Sequence, residues 1–248
     1  MLFRSQEFYC TTGLKPHLKI VISAFNISLS ITAFLGNLLI IVALQKLSSL
    51  HPPSKLLFSC LAITDFCVGL ITQPLYVILI MSPEHSQRCR YVNIFFNTMG
   101  AIFCEVSLLT VTALRVDRLL ALLLGLRYRQ VATLKRVWVY MVVSWLFPSG
   151  GAVLFLYSFR FAAGIASVVL LSCATTSAFC YTKIYLTLRQ RQATVQDHVH
   201  QREPYGGGIP LNILRYRKTV SSALWALITL VACYLPFGIL AKIGRAHV

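Results

Sequence analysis

Few side chains in this sequence are suited to chemistry, and two of them sit where charge is costly. Asp65, in Leu61-Ala62-Ile63-Thr64-Asp65, is the only charged residue in the apolar run 56–81, and Glu105 is the only one in the run 91–114. A carboxylate held in lipid costs several kcal/mol, so it must face other protein, water or an ion. Asn37 is a polar side chain able to reach Asp65, and the preceding Gly36 lets two helices approach closely. Asp117 and Arg118 form an adjacent pair at the end of the third apolar run; alone they read equally well as a solvated charge pair at a helix end. Gln73, Tyr76, Asn97 and Glu105 lie among aromatics such as Phe95, Phe96 and Phe103. That mix of apolar wall and few polar anchors suits a ligand pocket, and it suits ordinary helix packing too. Ser, His and Asp residues are scattered, with no nucleophile–base arrangement, so an enzyme is not expected. The eight cysteines form no CxxC or Cys/His cluster, and neither a metal site nor an organic cofactor is expected. Six of them lie inside apolar runs. Cys10 and Cys89 are the pair outside, so a disulfide, if one forms, joins these two.

Elements that hold such residues must belong to a bilayer. The 248 residues are 57% apolar and only 12% charged, against about 25% charged in a soluble domain. Too little polar surface remains to cover a water-soluble globule. This excludes a soluble enzyme, a disordered chain and a disulfide-rich secreted domain. Six runs, 20–45, 56–81, 91–114, 137–159, 161–182 and 219–241, are long enough to cross the hydrocarbon layer. Lipid cannot hydrogen-bond an exposed backbone, so these are helices or barrel strands, and they are too long and too evenly apolar for alternating barrel strands. The expected fold is all-α, a polytopic transmembrane helix bundle. His51-Pro52-Pro53 breaks the first two spans apart. The fourth and fifth meet almost directly around Ser158, and the longest connection, 189–218, is polar and holds Gly206-Gly207-Gly208. No apolar signal peptide precedes the first span, which is expected to act as an uncleaved signal.

Lys and Arg outnumber Asp and Glu by 23 to 7, a net charge of +16. Nucleic acid is one partner for such charge. Here the basic residues fall between apolar runs, so topology accounts for them and no nucleic-acid partner is expected. Fifteen lie on one side of the layer and six on the other, before the C-terminal tail. The positive-inside rule puts the fifteen in the cytoplasm and the N-terminal segment 1–17 outside. The same basic face suits anionic membrane lipid or an acidic partner surface.

Gly36-Asn37, Asp65, Asp117-Arg118, Trp145, Tyr181 and Cys233-Tyr234-Leu235-Pro236 stand on six successive runs. In this order and spacing they resemble the landmarks of the rhodopsin-like (class A) G-protein-coupled receptors, over nearly the whole chain. The resemblance implies a receptor domain over 18–241 that carries six of an expected seven spans. It implies a plasma-membrane protein that passes the signal of an extracellular ligand to heterotrimeric G proteins by outward movement of the sixth span. Asn37, Asp65 and Ser107 then correspond to a central polar pocket that takes sodium as an allosteric ion. Arg118 corresponds to the arginine that Asp117 restrains at rest and that meets the G protein on activation. Tyr181 corresponds to a tyrosine that steadies the active arrangement, and Tyr234 and Pro236 to the hinge of the sixth span. Gln73, Tyr76, Asn97 and Glu105 remain the candidate ligand pocket.

The departures narrow the resemblance. Leu119 stands where the family's tyrosine follows the arginine, Tyr234 where its toggle tryptophan stands, and Cys173 where the fifth span carries a proline. Asn93 replaces the usual disulfide cysteine at the outer end of the third span, and the link between the fourth and fifth spans is very short. Together these resemble the branch with melanocortin, lipid, cannabinoid and adenosine-like receptors. The acidic melanocortin ligands are not matched, with Leu75, Asn93 and Asn97 in their places. Gly100 replaces the amine-binding aspartate, which disfavours a biogenic amine. No Asn-Pro-x-x-Tyr segment occurs. The tail 242–248 resembles the translation of a sequencing adapter and is expected to be non-native. Two other readings are a small multi-pass transporter, disfavoured because no internal repeat is evident, and a truncated, non-signalling membrane protein.

Overall fold

The structure, a computed structural model, describes residues 15–47, 50–83 and 86–200. All regular structure among these residues is helical. Helix α1 spans Pro16–Lys46 and opens on a proline, whose missing N–H is no loss in a first turn. It carries Lys46 in its last turn, where a cation suits the helix dipole. Helix α2 spans Pro52–Cys67, again opening on prolines. A π-helical stretch, Val68–Thr72, continues it into α3, Gln73–Met81. Helix α4 spans Gln87–Leu124 and is capped by Ser86, whose hydroxyl accepts from Cys89 N–H at 3.1 Å. Its 38 residues make a rod of about 57 Å, well beyond the hydrocarbon thickness of about 30 Å. It stops at Gly125, whose φ of +52° is open to glycine and strained for other residues. A 3₁₀ turn, Gly125–Arg127, and a short helix α5, Tyr128–Val131, lead to α6, Leu134–Tyr157. Ser158 alone separates α6 from α7, Phe159–His200.

Five rods among the described residues are long and apolar enough to cross a membrane: α1, the α2–α3 rod, α4, α6 and α7. These are five of the six expected spans. The sixth, 219–241, lies outside the described residues, as do Tyr234, Pro236 and the tail 242–248. Two helices outrun their apolar stretches. The third apolar run ends at residue 114, yet α4 runs on through Arg115, Asp117 and Arg118 to Leu124 because Leu-Leu-Ala-Leu-Leu-Leu is strongly helix-forming. The fifth apolar run ends at residue 182, yet α7 continues to His200. Loss of apolar character marks where lipid ends and says nothing of where the backbone stops coiling.

The chain divides into two compact units, one up to Cys173 and one from Ala174. In the first, α1 packs against α2 and α3, while α4 packs against α2 and α6. Its core includes Leu57, Cys60, Ala62 and Thr64 of α2 and Val106, Thr110 and Leu114 of α4. Phe34 of α1 meets Phe66 of α2 with ring centroids 4.7 Å apart. Ile20, Val21, Phe25 and Leu39 of α1 remain exposed, a surface that suits lipid. In the second unit, Ser177, Cys180 and Ile184 are buried at the three- and four-residue spacing of one helix face.

Candidate functional site

The intramembrane carboxylate finds a partner. Ser107 of α4 donates its hydroxyl toward Asp65 Oδ1 at 3.2 Å and Thr64 Oγ1 at 3.0 Å. Thr64 is fully buried, and its own hydroxyl donates back to Leu61 O at 2.8 Å. Asn37 does not join this contact. Its amide donates to Ala33 O, one turn back on the same helix, at 2.8 Å. Of the expected trio, Asp65 and Ser107 are in direct contact. These are hard oxygen donors, the kind that suits a small hard cation. Asp65 Oδ1 takes the serine, and Oδ2 accepts no hydrogen bond among the described residues.

The candidate ligand residues lie toward the other end of the same two rods. Tyr76 of α3 packs on Phe96 of α4 at 5.4 Å between centroids. A Cβ on Gly100 would lie 3.6 Å from the Thr72 methyl, so the rods approach closely here. Gln73 is half-buried. Asn97 folds back one turn, donating to Asn93 O at 2.8 Å and Asn93 Oδ1 at 2.7 Å. Glu105 is half-buried but two residues from Ser107, which turns it about 200° away from the Asp65 contact. Behind this region Cys60 Sγ lies 3.7 Å from Thr110 Oγ1, and Trp145 of α6 meets Phe103 edge-on at 6.4 Å.

At the far end of α4 the Asp117–Arg118 pair is not held as expected. Asp117 is buried, at 6% exposure, and both of its oxygens are taken. Ser54 of α2 donates to Oδ2 at 2.8 Å, and Tyr128 of α5 donates to Oδ1 at 2.5 Å. The Arg118 guanidinium is exposed and lies over the Phe58 ring at 5.4 Å. Adjacent residues on a helix point about 100° apart, so the buried carboxylate and the exposed guanidinium serve different surroundings. The expected restraint of Arg118 by Asp117 is replaced by an anchor of α2, α4 and α5 around one carboxylate. Tyr128 also stacks near His51 at 5.1 Å. The anchored turn leaves Leu126 98% exposed between Gly125 and Arg127. Reading the sequence alone missed Ser54 and Tyr128. The available signal was a buried-type aspartate followed by a glycine turn and a tyrosine, eleven residues on.

Tyr181 is half-buried on α7, in the second unit. Cys89 is fully buried and disulfide-bonded. Cys60, Cys67, Cys104, Cys173 and Cys180 are not joined in disulfides. Cys10 lies outside the described residues. No group of three or more His, Cys, Asp or Glu side chains is gathered for a metal among the described residues.

The family model of the seven-transmembrane receptors of the rhodopsin family matches residues 36–244. The chain belongs to this family. It is a family of receptors and not of enzymes, and its members are multi-pass membrane proteins of the plasma membrane. Among curated proteins the chain is similar to adenosine receptor A3 of sheep (Ovis aries), with 30% identity over 122 residues, 49% of this chain and 37% of that receptor. The same receptor of dog (Canis lupus familiaris) is 30% identical over 122 residues, 49% of this chain and 38% of the receptor. That of cattle (Bos taurus) is 29% identical over 122 residues, 49% of this chain and 37% of the receptor. The matches thus span about half of this rhodopsin-family chain and well under half of each relative.

Proposed function

We propose that this receptor chain binds an extracellular ligand and couples to a heterotrimeric G protein, with its N-terminus outside the cell. The observation that carries the reading is the arrangement around Asp117. With the carboxylate committed to Ser54 and Tyr128, Arg118 keeps its charge exposed and ready for a partner. Leu126, 98% exposed next to Arg127, offers an apolar anchor on a basic turn. A partner surface that pairs an apolar pocket with acidic or carbonyl groups fits this face. In this reading the six apolar runs correspond to six of the family's seven spans. Pro236 is the kink about which the sixth swings outward, Tyr234 lies within that hinge, and Tyr181 steadies the active state.

Asp65 and Ser107 hold sodium as an allosteric ion in the same reading. The ion would add charge compensation for Asp65 and favour the resting state. Gln73, Tyr76 and Asn97 line the ligand side, with Glu105 deeper along α4. The relatives' names make adenosine the first compound to test, and the ligand class is otherwise open. The experiment is nucleotide exchange on G proteins in membranes from cells expressing the coding sequence that contains this chain, with and without adenosine. Exchange above mock membranes supports coupling. Exchange equal to mock membranes under both conditions favours the transporter or non-signalling alternative.

A further inference from the structure

The π-helical stretch lies between Asp65 and the candidate ligand residues Gln73 and Tyr76, and it frees one backbone carbonyl. Gln73 N–H donates to Val68 O, where an α-helix would direct it to Gly69 O. The donor that a continuing π register would offer Gly69 O is residue 74, and Pro74 has no N–H. Gly69 O is left without either donor from its own rod. An unsatisfied carbonyl in lipid is costly, since no water can reach it. Ser30 of α1 supplies the missing donor, its hydroxyl 2.6 Å from Gly69 O. The two backbones must nearly touch for this bond. A Cβ at residue 69 would lie 2.8 Å from Phe34 N and 3.0 Å from Ser30 O, so only glycine fits.

Pro74 forces a choice. In an α register the orphaned carbonyl is Leu70 O, four residues before the proline; in the π register it is Gly69 O. It is the second that Ser30 meets. We propose that Ser30 and Pro74 together set the rotational register of α3 and so decide which side chains it turns toward α4. Pro74 withholds the donor, and Ser30 rewards the π choice. Ser30 is a positioning residue in this scheme. A π stretch of this length winds about 100° less than the α-helix it replaces. In the register present, Tyr76 meets Phe96. Rewinding to α would turn α3 by one residue and bring Leu75 to that place. That Tyr76 and Gln73 meet a ligand rests on the receptor reading above; the register does not.

The test is a cross-linking comparison in membranes holding the full chain, with Phe96→Cys paired with either Tyr76→Cys or Leu75→Cys. A short bis-methanethiosulfonate reagent bridges the pair, and cleavage at a protease site placed between Pro83 and Ser86 reveals it on a gel. With Ser30 and Pro74 in place, the Tyr76→Cys pair cross-links in excess of the Leu75→Cys pair. In Ser30→Ala that preference is lost, because each register then leaves one carbonyl without a donor. If that variant fails to reach the membrane, Ser30→Ala/Pro74→Ala gives the same reading, because its α register has no orphaned carbonyl. A preference for position 75 in the parent, or an unchanged preference for position 76 in the variant that reaches the membrane, overturns the proposal. The readout needs no ligand and no G protein, so its failure is separate from failure of the receptor reading.

Discussion

Tyr128→Phe removes one oxygen and little else. The ring keeps its place beside His51, 5.1 Å away, while Asp117 Oδ1 loses the hydroxyl 2.5 Å from it. At 6% exposure Asp117 gains little from water in return. A hydrogen bond to a charged group contributes about 1.5–3 kcal/mol. For a chain of this size each kcal/mol corresponds to roughly 2–4 °C in Tm, so the expected fall is roughly 3–12 °C, nearer the lower end because Ser54 still holds Oδ2. The chain carries its own reporters: Cys60, Cys173 and Cys180 are buried thiols outside any disulfide, with 4%, 5% and 2% exposure. A thiol-reactive fluorophore that labels them only on unfolding gives the melting curve without any ligand. The control is the same change in an Asp117→Ala background, where the tyrosine hydroxyl has no carboxylate to meet. There Tyr128→Phe should cost almost nothing or slightly stabilise. An equal loss in both backgrounds would falsify the anchor, since the effect would then come from the hydroxyl's other surroundings, such as Ser54 at 3.2 Å.

Three further outcomes follow from particular residues. Asp65→Asn should blunt any effect of sodium on agonist affinity, because the amide removes the charge that pairs with the ion; an undiminished sodium effect places the ion elsewhere. Peptide mapping under non-reducing conditions should join Cys10 to Cys89, whose sulfur is already bonded; recovery of Cys89 linked to another cysteine removes that pairing. An epitope inserted at Gly207 should be labelled only after permeabilisation, since fifteen Lys and Arg residues share its side of the layer. Labelling of intact cells would reverse the topology.

The five spans among the described residues were legible because lipid leaves an uncharged chain few options. Their ends were not, since α4 and α7 coil on past the apolar boundary to Leu124 and His200. The need of Asp65 for a partner follows from its depth. That Ser107 supplies it while Asn37 bonds Ala33 O depends on helix rotation, which a single sequence does not encode. The Asp117–Arg118 pair stood out by type and place, but its wiring depends on the turn at Gly125. That turn swings Tyr128 back under Asp117. Pro74 is visible in the sequence as a break in the hydrogen-bond ladder. Which carbonyl it frees, and that Ser30 meets it, depends on the close approach of two helices at Gly69.

Basal nucleotide exchange tests the coupling claim most directly, because it needs no known ligand. The comparison uses membranes at matched surface expression from cells carrying the coding sequence that contains this chain, its Arg118→Ala variant, and no receptor. Arg118 is exposed, and Asp117 hydrogen-bonds Ser54 and Tyr128 instead; without a direct latch worth about 1–2 kcal/mol the active form should be favoured roughly five- to thirty-fold over a latched receptor. The account predicts basal exchange clearly above the mock membranes, and its return to the mock level in Arg118→Ala. Basal exchange at the mock level in the parent, or an Arg118→Ala receptor as active as its parent, would contradict it.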